Sequence, residues 1–306
     1  MMDVCLPGTG GMLPLVRRYL TCCWVEVMGK AVLIDCGEGT QIALSAAGCH
    51  VSRLECLLIT HFHADHISGL PGLMLTLGNQ GKTTPLTIAG PSGLAKVVNS
   101  LLVIARQLPF EICIKEFGTK EEGSFNIAGM QIDTLPLKHR VPCLGYSVIY
   151  HRKPVFNPQK AAELNIPVTY YKNLHAGENV EIEGKIYTPD MVLDGERAPI
   201  KVTYCTDTRP FDKMAEFAKG SDLFICEGMY CDEQMRDKMD EKHHMLFTDA
   251  AKIAKKADVP ELWLTHYSPA LTNPWEHKED VCAVFENTVI PKDGMKKTII
   301  PKDGAN

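Results

Sequence analysis

The chain has 306 residues, 45% of them hydrophobic and 23% charged, with a formal net charge of −5. That describes an ordinary soluble globular protein, long enough for one large α/β domain or two ordinary ones and able to build its core without covalent staples. The acidic balance argues against a generally basic nucleic-acid binder, although it is silent on bound metal ions and local patches.

The opening "MMDVCLPGTGGMLPL" has neither a basic n-region nor a continuous apolar h-region, and no run approaches membrane-spanning length, so a cytoplasmic protein is expected. Twelve scattered cysteines, with Cys22 and Cys23 adjacent and no C-x-x-C pair, read as small core residues of a reducing compartment rather than as a disulfide framework or a zinc–thiolate site. Apolar, β-branched runs then stop abruptly at polar or glycine-rich segments. They are "AVLIDCGEG" (31–39), "LECLLITH" (54–61), "IKVTYCTDT" (200–208), "DLFICEGMY" (222–230) and "ELWLTH" (261–266), each read as a buried strand with functional residues at its C-terminal end. Helical patterns lie between them, at Pro91–Arg106 and at Thr248–Ala257, the latter with Thr248 as N-cap and Asp249 in its first turn. "ECLLITHF" (55–62) and "ELWLTHY" (261–267) echo each other and hint at a duplicated βα architecture. A doublet "IPKDG", at 290–294 and 300–304, reads as two turns flanking a short strand.

The stretch from about 150 to 199 differs. It carries five prolines and the aromatics Phe156, Tyr170 and Tyr171, and between His151 and His175 it sets Arg152, Lys153, Lys160 and Lys172 against the single acid Glu163. This is the pattern of an insertion projecting from the core, locally basic in an acidic chain.

The densest chemistry follows the second strand. "LLITHFHADHISGLPG" places His61, His63, Asp65 and His66 within six positions. Imidazoles alternating with carboxylates suit borderline-hard divalent metals. His61 and His63 can point to one side of the strand end while Asp65 and His66 sit on the turn beyond, giving two adjacent clusters. One ion could hardly take all four donors from so short a segment; two could. His50, His151, His175, His243 and His277 follow no ligand pattern.

H-x-H-x-D-H at a strand end resembles the hallmark of the metallo-β-lactamase superfamily, which implies an αββα sandwich binding one or two metals at one edge. The resemblance supplies further ligands: His139 in "PLKHRVP", Asp207 in "CTDTRP" as bridging carboxylate and His266 in "LTHYSP". It implies that one ion takes His61, His63, His139 and Asp207, and a second takes Asp65, His66, Asp207 and His266. Asp35 in "LIDCGEG" matches an aspartate that orients ligand histidines. "PGTGG", "LIDCGEGTQ", "THFHADHISGLPGL", "TPLTIAGPSGL" and the stretch from "AAELNIPVTYYK" to "CTDTRP" together are similar to the ribonuclease Z family across nearly the whole chain. That resemblance implies one domain over 1–306 with an RNA-binding arm at about 150–199, and a cytoplasmic homodimer whose arm reaches the tRNA bound to its partner. It further implies two Zn2+ per subunit, with Mn2+, Co2+ or Fe2+ as substitutes, and removal of the 3′ trailer from precursor tRNA to leave a 3′-hydroxyl. A basic, aromatic-bearing arm suits a phosphate backbone and stacked bases.

For the reaction, the resemblance makes Asp65 the general base and matches Glu227 and His244 to a Glu–His pair that stabilises the phosphate or the leaving oxygen, with His243 as an adjacent rival for that role. Departures from the family pattern are Cys226-Glu227-Gly228-Met229 where it has His-Glu-Ala-Thr, Leu246 where it has threonine, "IPVTYYK" where it has Pro-Pro-Gly-Pro, and a CCA-handling loop keeping only Pro14 and Arg18. Two rivals stand beside this reading. One is a hydrolase of small esters on the same fold, acting on cyclic nucleotides or aryl sulfates. The other is a non-catalytic RNA- or metal-binding protein.

Overall fold

The computed structural model describes residues 1–300. Strands β1 (Met2–Gly8), β2 (Cys22–Val27) and β3 (Lys30–Ile34) lead to helix α1 (Thr40–Ala46) and strand β4 (Leu54–Leu58). Helices α2 (Ala64–Ile67) and α3 (Leu70–Asn79), strand β5 (Leu86–Pro91), helix α4 (Leu94–Leu101) and strand β6 (Ile112–Phe117) follow. The chain then forms β7 (Gly123–Ile127), β8 (Met130–Pro136) and β9 (Leu144–Tyr150).

Between Tyr150 and Ile200 lies a separate compact unit. It holds β10 (Val155–Phe156), α5 (Pro158–Glu163), α6 (Tyr171–His175), β11 (Val180–Ile182), β12 (Lys185–Tyr187) and β13 (Leu193–Asp194), with β10 paired to β13 and β11 to β12. The main unit resumes with β14 (Ile200–Cys205), α7 (Asp212–Ala218), β15 (Leu223–Glu227), α8 (Arg236–Lys242), α9 (Phe247–Ala257), β16 (Leu262–Thr265), α10 (Lys278–Val284), β17 (Thr288–Val289) and β18 (Met295–Ile299).

Two seven-stranded sheets result, in the orders β18-β1-β2-β3-β4-β5-β6 and β17-β16-β15-β14-β9-β8-β7. In the first, β3 to β6 run parallel; in the second, β14 to β17 do. The central parallel strands are buried on both faces, which is why their sequences read as continuous apolar runs. One face of the first sheet (Leu33, Leu57, Ile88) takes Leu44 of α1, Leu73 and Leu77 of α3 and Val98 of α4. The corresponding face of the second (Phe224, Leu262, Leu264) takes Met214 of α7 and Ala250, Ala251 and Ala254 of α9. The opposite faces meet each other, joined by Tyr146 donating to the Ile59 carbonyl at 2.7 Å and by Thr21 bonded to Thr265 at 2.6 Å. This is the αββα sandwich, and it aligns the C-terminal ends of β3, β4, β14, β15 and β16.

Several expectations change in detail. All five expected strands form; four end before their functional residues, which leave the sheet on loops, while Glu227 is itself the last residue of β15. The expected helix from Pro91 is shorter, because Pro91 closes β5 and residues 102–104 tighten into a 3-10 turn. The N-cap position of α9 is Leu246 rather than Thr248. Asp249, in the third position, reaches back to the Leu246 amide at 3.2 Å, so the helix is capped from inside and can start two residues early. The echoing strands hold different stations, β4 being second among its sheet's parallel strands and β16 third.

The 150–200 unit has its own small core of Ala161, Ile166, Leu174, Val180, Tyr187 and Val192. Phe156, Tyr170 and Tyr171, expected as stacking platforms for bases, pack against that core, the Phe156 and Tyr171 rings 4.8 Å apart. Lys153, Lys160 and Lys172 are exposed and Arg152 is half-buried; Lys160 pairs with Asp194 at 2.7 Å. Of the "IPKDG" doublet, the first leads into β18, while residues 301–304 of the second lie outside the described residues. Among the described residues no helix is long and apolar enough to cross a membrane.

Candidate metal centre

His61 and His63 leave the end of β4, Asp65 and His66 sit in α2, His139 follows β8, Asp207 follows β14 and His266 follows β16. Asp35, Asp207 and His266 all take left-handed backbone conformations, with φ of 64°, 54° and 62°. Such conformations are uncommon for residues with a side chain and cluster where a site over-determines them.

Two nests of donor atoms result. In the first, His63 Nδ1 lies 2.9 Å from His61 Nε2 and 3.3 Å from His139 Nε2, while Asp207 Oδ2 is 3.6 Å from His61 Nε2 and 3.8 Å from His139 Nε2. In the second, His66 Nε2, His266 Nε2 and Asp65 Oδ2 form a triangle with edges of 3.3, 3.4 and 3.4 Å. Asp207 Oδ1 closes it, 3.4 Å from His66 and 3.3 Å from His266. The two oxygens of one carboxylate therefore serve different nests. Donors about 2.0–2.1 Å from a tetrahedral ion stand about 3.3–3.4 Å from one another, so the second nest already has the spacing of a tetrahedral donor set.

The surrounding bonds aim the imidazoles. Asp35, fully buried, accepts from Thr60 N at 2.8 Å and pairs with His66 Nδ1 at 2.7 Å. The Thr60 hydroxyl lies 2.9 Å from Asp35 and 3.0 Å from His61 Nδ1. Both rings thus have Nδ1 engaged and present Nε2 to the nests. Burial holds His61 well below its ordinary pKa and brings His139 down to about 4, leaving nitrogen lone pairs free to ligate. Burial would raise Asp65 and Asp207, but hydrogen bonds and charge from His266 and His66 outweigh it and keep both carboxylates ionised. His66 is the converse case: burial opposes its charge, and Asp207 and Asp35 raise its pKa well above the ordinary value, the same negative charge that would draw a cation to Nε2. Lone pairs and carboxylates converging at this spacing fit divalent ions.

Beside the nests opens a cleft of about 380 Å³, lined by Met12, Arg140, Lys242 and His244 as well as the donors His63, Asp65, His139, Asp207 and His266. His244 Nδ1 bonds Glu227 Oε2 at 2.9 Å, and the other oxygen of Glu227 accepts from the Thr208 amide. Burial disfavours charge on His244, yet the Glu227 carboxylate outweighs it and pushes the pKa up to about 9. The pair is intact despite the altered residues around it. His243 does not share this place. It adopts φ 60° and lends its carbonyl to His139 Nδ1 at 3.3 Å.

Several contributors were invisible in the sequence. Arg209 Nε donates to the Asp240 carbonyl at 2.8 Å and Arg140 Nη2 to that of Glu241 at 2.6 Å, so two arginines beside ligand positions latch the C-terminal end of α8, from which His244 emerges. The Met12 amide donates to Asp65 Oδ2 at 2.7 Å, and Gly11 lies flat against the His266 ring. Arg18, expected to keep part of a CCA-handling loop, is buried and holds the Ser268, Leu271 and Thr272 carbonyls at 3.2, 2.9 and 3.2 Å. Thr60 had one signal: Thr-His recurs at 60–61 and 265–266.

Comparison with known proteins places this arrangement. The family model described as "Anti-Pycsar protein Apyc1" matches residues 2–157. A protein named Ribonuclease Z from Agathobacter rectalis is 50% identical over 293 residues, covering 96% of each chain. Another of that name from Lachnospira eligens is 48% identical over 294 residues, again covering 96% of each. Among solved structures, the human tRNase Z short form superposes with a TM-score of 0.69 at 23% identity, over 98% of this chain and 100% of its own.

Proposed function

The chain belongs to the ribonuclease Z family and is a tRNA 3′-processing endonuclease, and from that premise we propose how its own residues carry out the cleavage. Residues 2–157 belong also to the family described as Anti-Pycsar protein Apyc1. That half carries the H-x-H-x-D-H motif and His139, but neither Asp207, His244 and His266 nor most of the 150–200 unit. The ribonuclease Z relatives span all of these, which is why they decide the activity.

Two divalent ions, zinc in our reading, would be held by His61, His63, His139 and Asp207 and by Asp65, His66, Asp207 and His266. The observation that carries this is the splitting of Asp207, one oxygen in each nest. Bound there, the ions would lower the pKa of water and neutralise the charge of the scissile phosphate. Asp65, oriented by the Met12 amide, takes the proton of the attacking water. His244, kept protonated by Glu227, gives its proton to the tRNA 3′ oxygen as the P–O3′ bond breaks. A new bond from water to phosphorus leaves the phosphate on the trailer and a 3′-hydroxyl on the tRNA. Arg140 and Lys242 add positive charge to the cleft wall for the flanking phosphates.

The RNA-binding arm is assigned to the 150–200 unit, with Arg152, Lys153, Lys160 and Lys172 as its basic stretch; beyond it only Lys185 and Arg197 are basic. Glu178, Glu181, Glu183, Asp190, Asp194 and Glu196 make the rest of it acidic. The assembly is a cytoplasmic homodimer. Supporting apolar surface is present where α1, α3 and residues 102–104 adjoin, at the exposed Ile42, Leu75, Val103 and Ile104.

The test is cleavage of an end-labelled precursor tRNA by wild type, Asp65→Ala and a variant with 152–197 replaced by a short linker, with metal content measured on each. A single cut after the discriminator base, lost in Asp65→Ala, is expected. The arm variant should lose tRNA cleavage while still hydrolysing a small phosphodiester. Equal loss of both activities in a metal-loaded arm variant would refute the arm's assignment.

A further inference from the structure

The first "IPKDG" copy, residues 290–294, has no part in the site described above, and Asp293 is not among the residues lining the metal cleft. Its carboxylate is half-buried, next to the end of β1 and ahead of β18. A turn fixes it there. Gly294, at φ 80°, donates its amide to the Leu6 carbonyl at 2.8 Å, and the Met295 amide closes back on the Lys292 carbonyl at 3.0 Å. Each oxygen of Asp293 then takes one bond from the loop that joins β1 to β2. The Thr9 hydroxyl donates to Oδ1 at 2.7 Å and the Tyr19 amide to Oδ2 at 2.5 Å.

The two donors stand at the base of the loop, one where the chain leaves β1 and one where it returns to β2. The Thr9 and Gly10 amides close the same base, both donating to the Tyr19 carbonyl, at 3.1 and 2.8 Å. The residues that follow reach the metal centre. Gly11 donates to the Tyr267 carbonyl at 2.9 Å, against the His266 ring, and the Met12 amide donates to Asp65 Oδ2 at 2.7 Å. Met12 does so at φ 66°, a left-handed conformation that is costly for a residue with a side chain and persists only where the surroundings enforce it. Residues 12–17 are exposed, so their own packing does not supply that restraint. It comes from the base, where Asp293 joins the outgoing and returning chain, and from Arg18 on the carbonyls of residues 268, 271 and 272. A carboxylate suits the place because both of its neighbours are donors. A side-chain amide offers one acceptor oxygen and turns an NH2 towards the second donor.

We propose that Asp293 is a positioning residue for the cleavage reaction: by tying Thr9 to Tyr19 it holds Met12 in the conformation that aims its amide at Asp65. The inference rests on the reading of Asp65 as the general base. Asp293 meets neither substrate nor metal donor. It acts through the short stretch of backbone from Thr9 to Met12, and its loss would leave Asp65 present but free to turn away from the attacking water.

The experiment compares zinc-loaded wild type, Asp293→Asn, Thr9→Val, Thr9→Ser and the Asp293→Asn/Thr9→Val double variant. Two substrates are used, precursor tRNA under single turnover and bis(p-nitrophenyl) phosphate in the steady state. Asp293→Asn should slow both by the same factor, about ten- to a hundredfold, with KM for the small ester within about twofold of wild type. Thr9→Val removes the hydroxyl at nearly constant shape and should slow both substrates severalfold, while Thr9→Ser keeps the donor and should recover most of the rate. The double variant should be no slower than Asp293→Asn, because the two substitutions break one linkage. Hydrogen exchange at residues 10–13 should quicken, with β4 and α2 unchanged. If Asp293→Asn does not fold, the Thr9 variants carry the test. Lower thermal midpoint and metal content with an unchanged rate per loaded molecule would overturn the proposal, leaving Asp293 a purely structural residue. Slower tRNA cleavage with small-ester turnover intact would overturn it too, since the loop would then serve only to hold RNA. Asp65→Ala separates the two levels of the argument. If it is inactive while Asp293→Asn matches wild type, the inference alone falls; if it keeps wild-type turnover, the reading of the base falls and takes the inference with it.

Discussion

Gly11→Ala tests how tightly the N-terminal loop positions the metal centre. A Cβ on Gly11 would lie 2.7 Å from both Cε1 and Nε2 of His266, whereas ordinary contacts begin at 3.4 Å. Something must retreat by about 0.7 Å, several times the roughly 0.2 Å tolerance of metal–ligand distances. The ring has one route and the loop another. If the ring moves, Nε2 leaves the second nest. If the loop moves, it strains the Gly11 amide's bond to the Tyr267 carbonyl at 2.9 Å and the Met12 amide's bond to Asp65 at 2.7 Å. Either way the second nest loses a placed donor. We expect the variant to retain about half the metal and to cleave precursor tRNA about a hundredfold more slowly. The backbone at Gly11 is not left-handed, so alanine should otherwise favour the folded state slightly. Thermal unfolding measured in chelator should therefore change little, while metal content and cleavage fall together. Full loading with cleavage within about twofold of wild type would refute the steric argument.

Asp35→Asn should lower zinc affinity about 10- to 100-fold in a competition titration, because a neutral amide orients His66 and Thr60 less firmly than a carboxylate. Arg209→Ala releases the Asp240 carbonyl and the end of α8, so kcat should fall toward the roughly hundredfold value of a general acid with KM and metal content kept, and Arg209→Lys should restore part of it. Glu116 accepts from the Ala95 and Gly93 amides at 2.8 and 3.0 Å and caps the start of α4. These bonds hold its pKa below the ordinary 4.5, so its stabilisation is complete above that pH and is lost as pH falls through the folded value. The gap in thermal midpoint between wild type and Glu116→Ala should be present at neutrality and close under acid.

What could be read without coordinates follows from how local each feature is. His61, His63, Asp65 and His66 sit on one strand end and the turn beyond it, so their spacing alone announces a metal. His139, Asp207 and His266 come from three other strands, and only likeness to a known pattern brought them into view. The division of Asp207 between two nests depends on the angle at which the sheets meet, which no short stretch encodes. Gly11 and Met12 escaped notice because one acts through a missing Cβ and the other through a backbone amide. The aromatics at 156, 170 and 171 were read as suiting stacked bases because they lie in a locally basic stretch that resembles an RNA-binding arm. A unit that small needs large side chains to make a core, and it uses these.

Each nest draws on both sheets: four donors leave the first sheet at β4 and α2, while His139, Asp207 and His266 leave the second. Ions seated there would act as rivets along the seam where the halves of the sandwich meet. By mass action a ligand at 100 times its dissociation constant adds about 2.7 kcal/mol to the folded state, and here that energy would fall at the join rather than within either half. The catalytically competent form and the most durable form would then be the same species, and a cell short of metal would lose enzyme as well as activity.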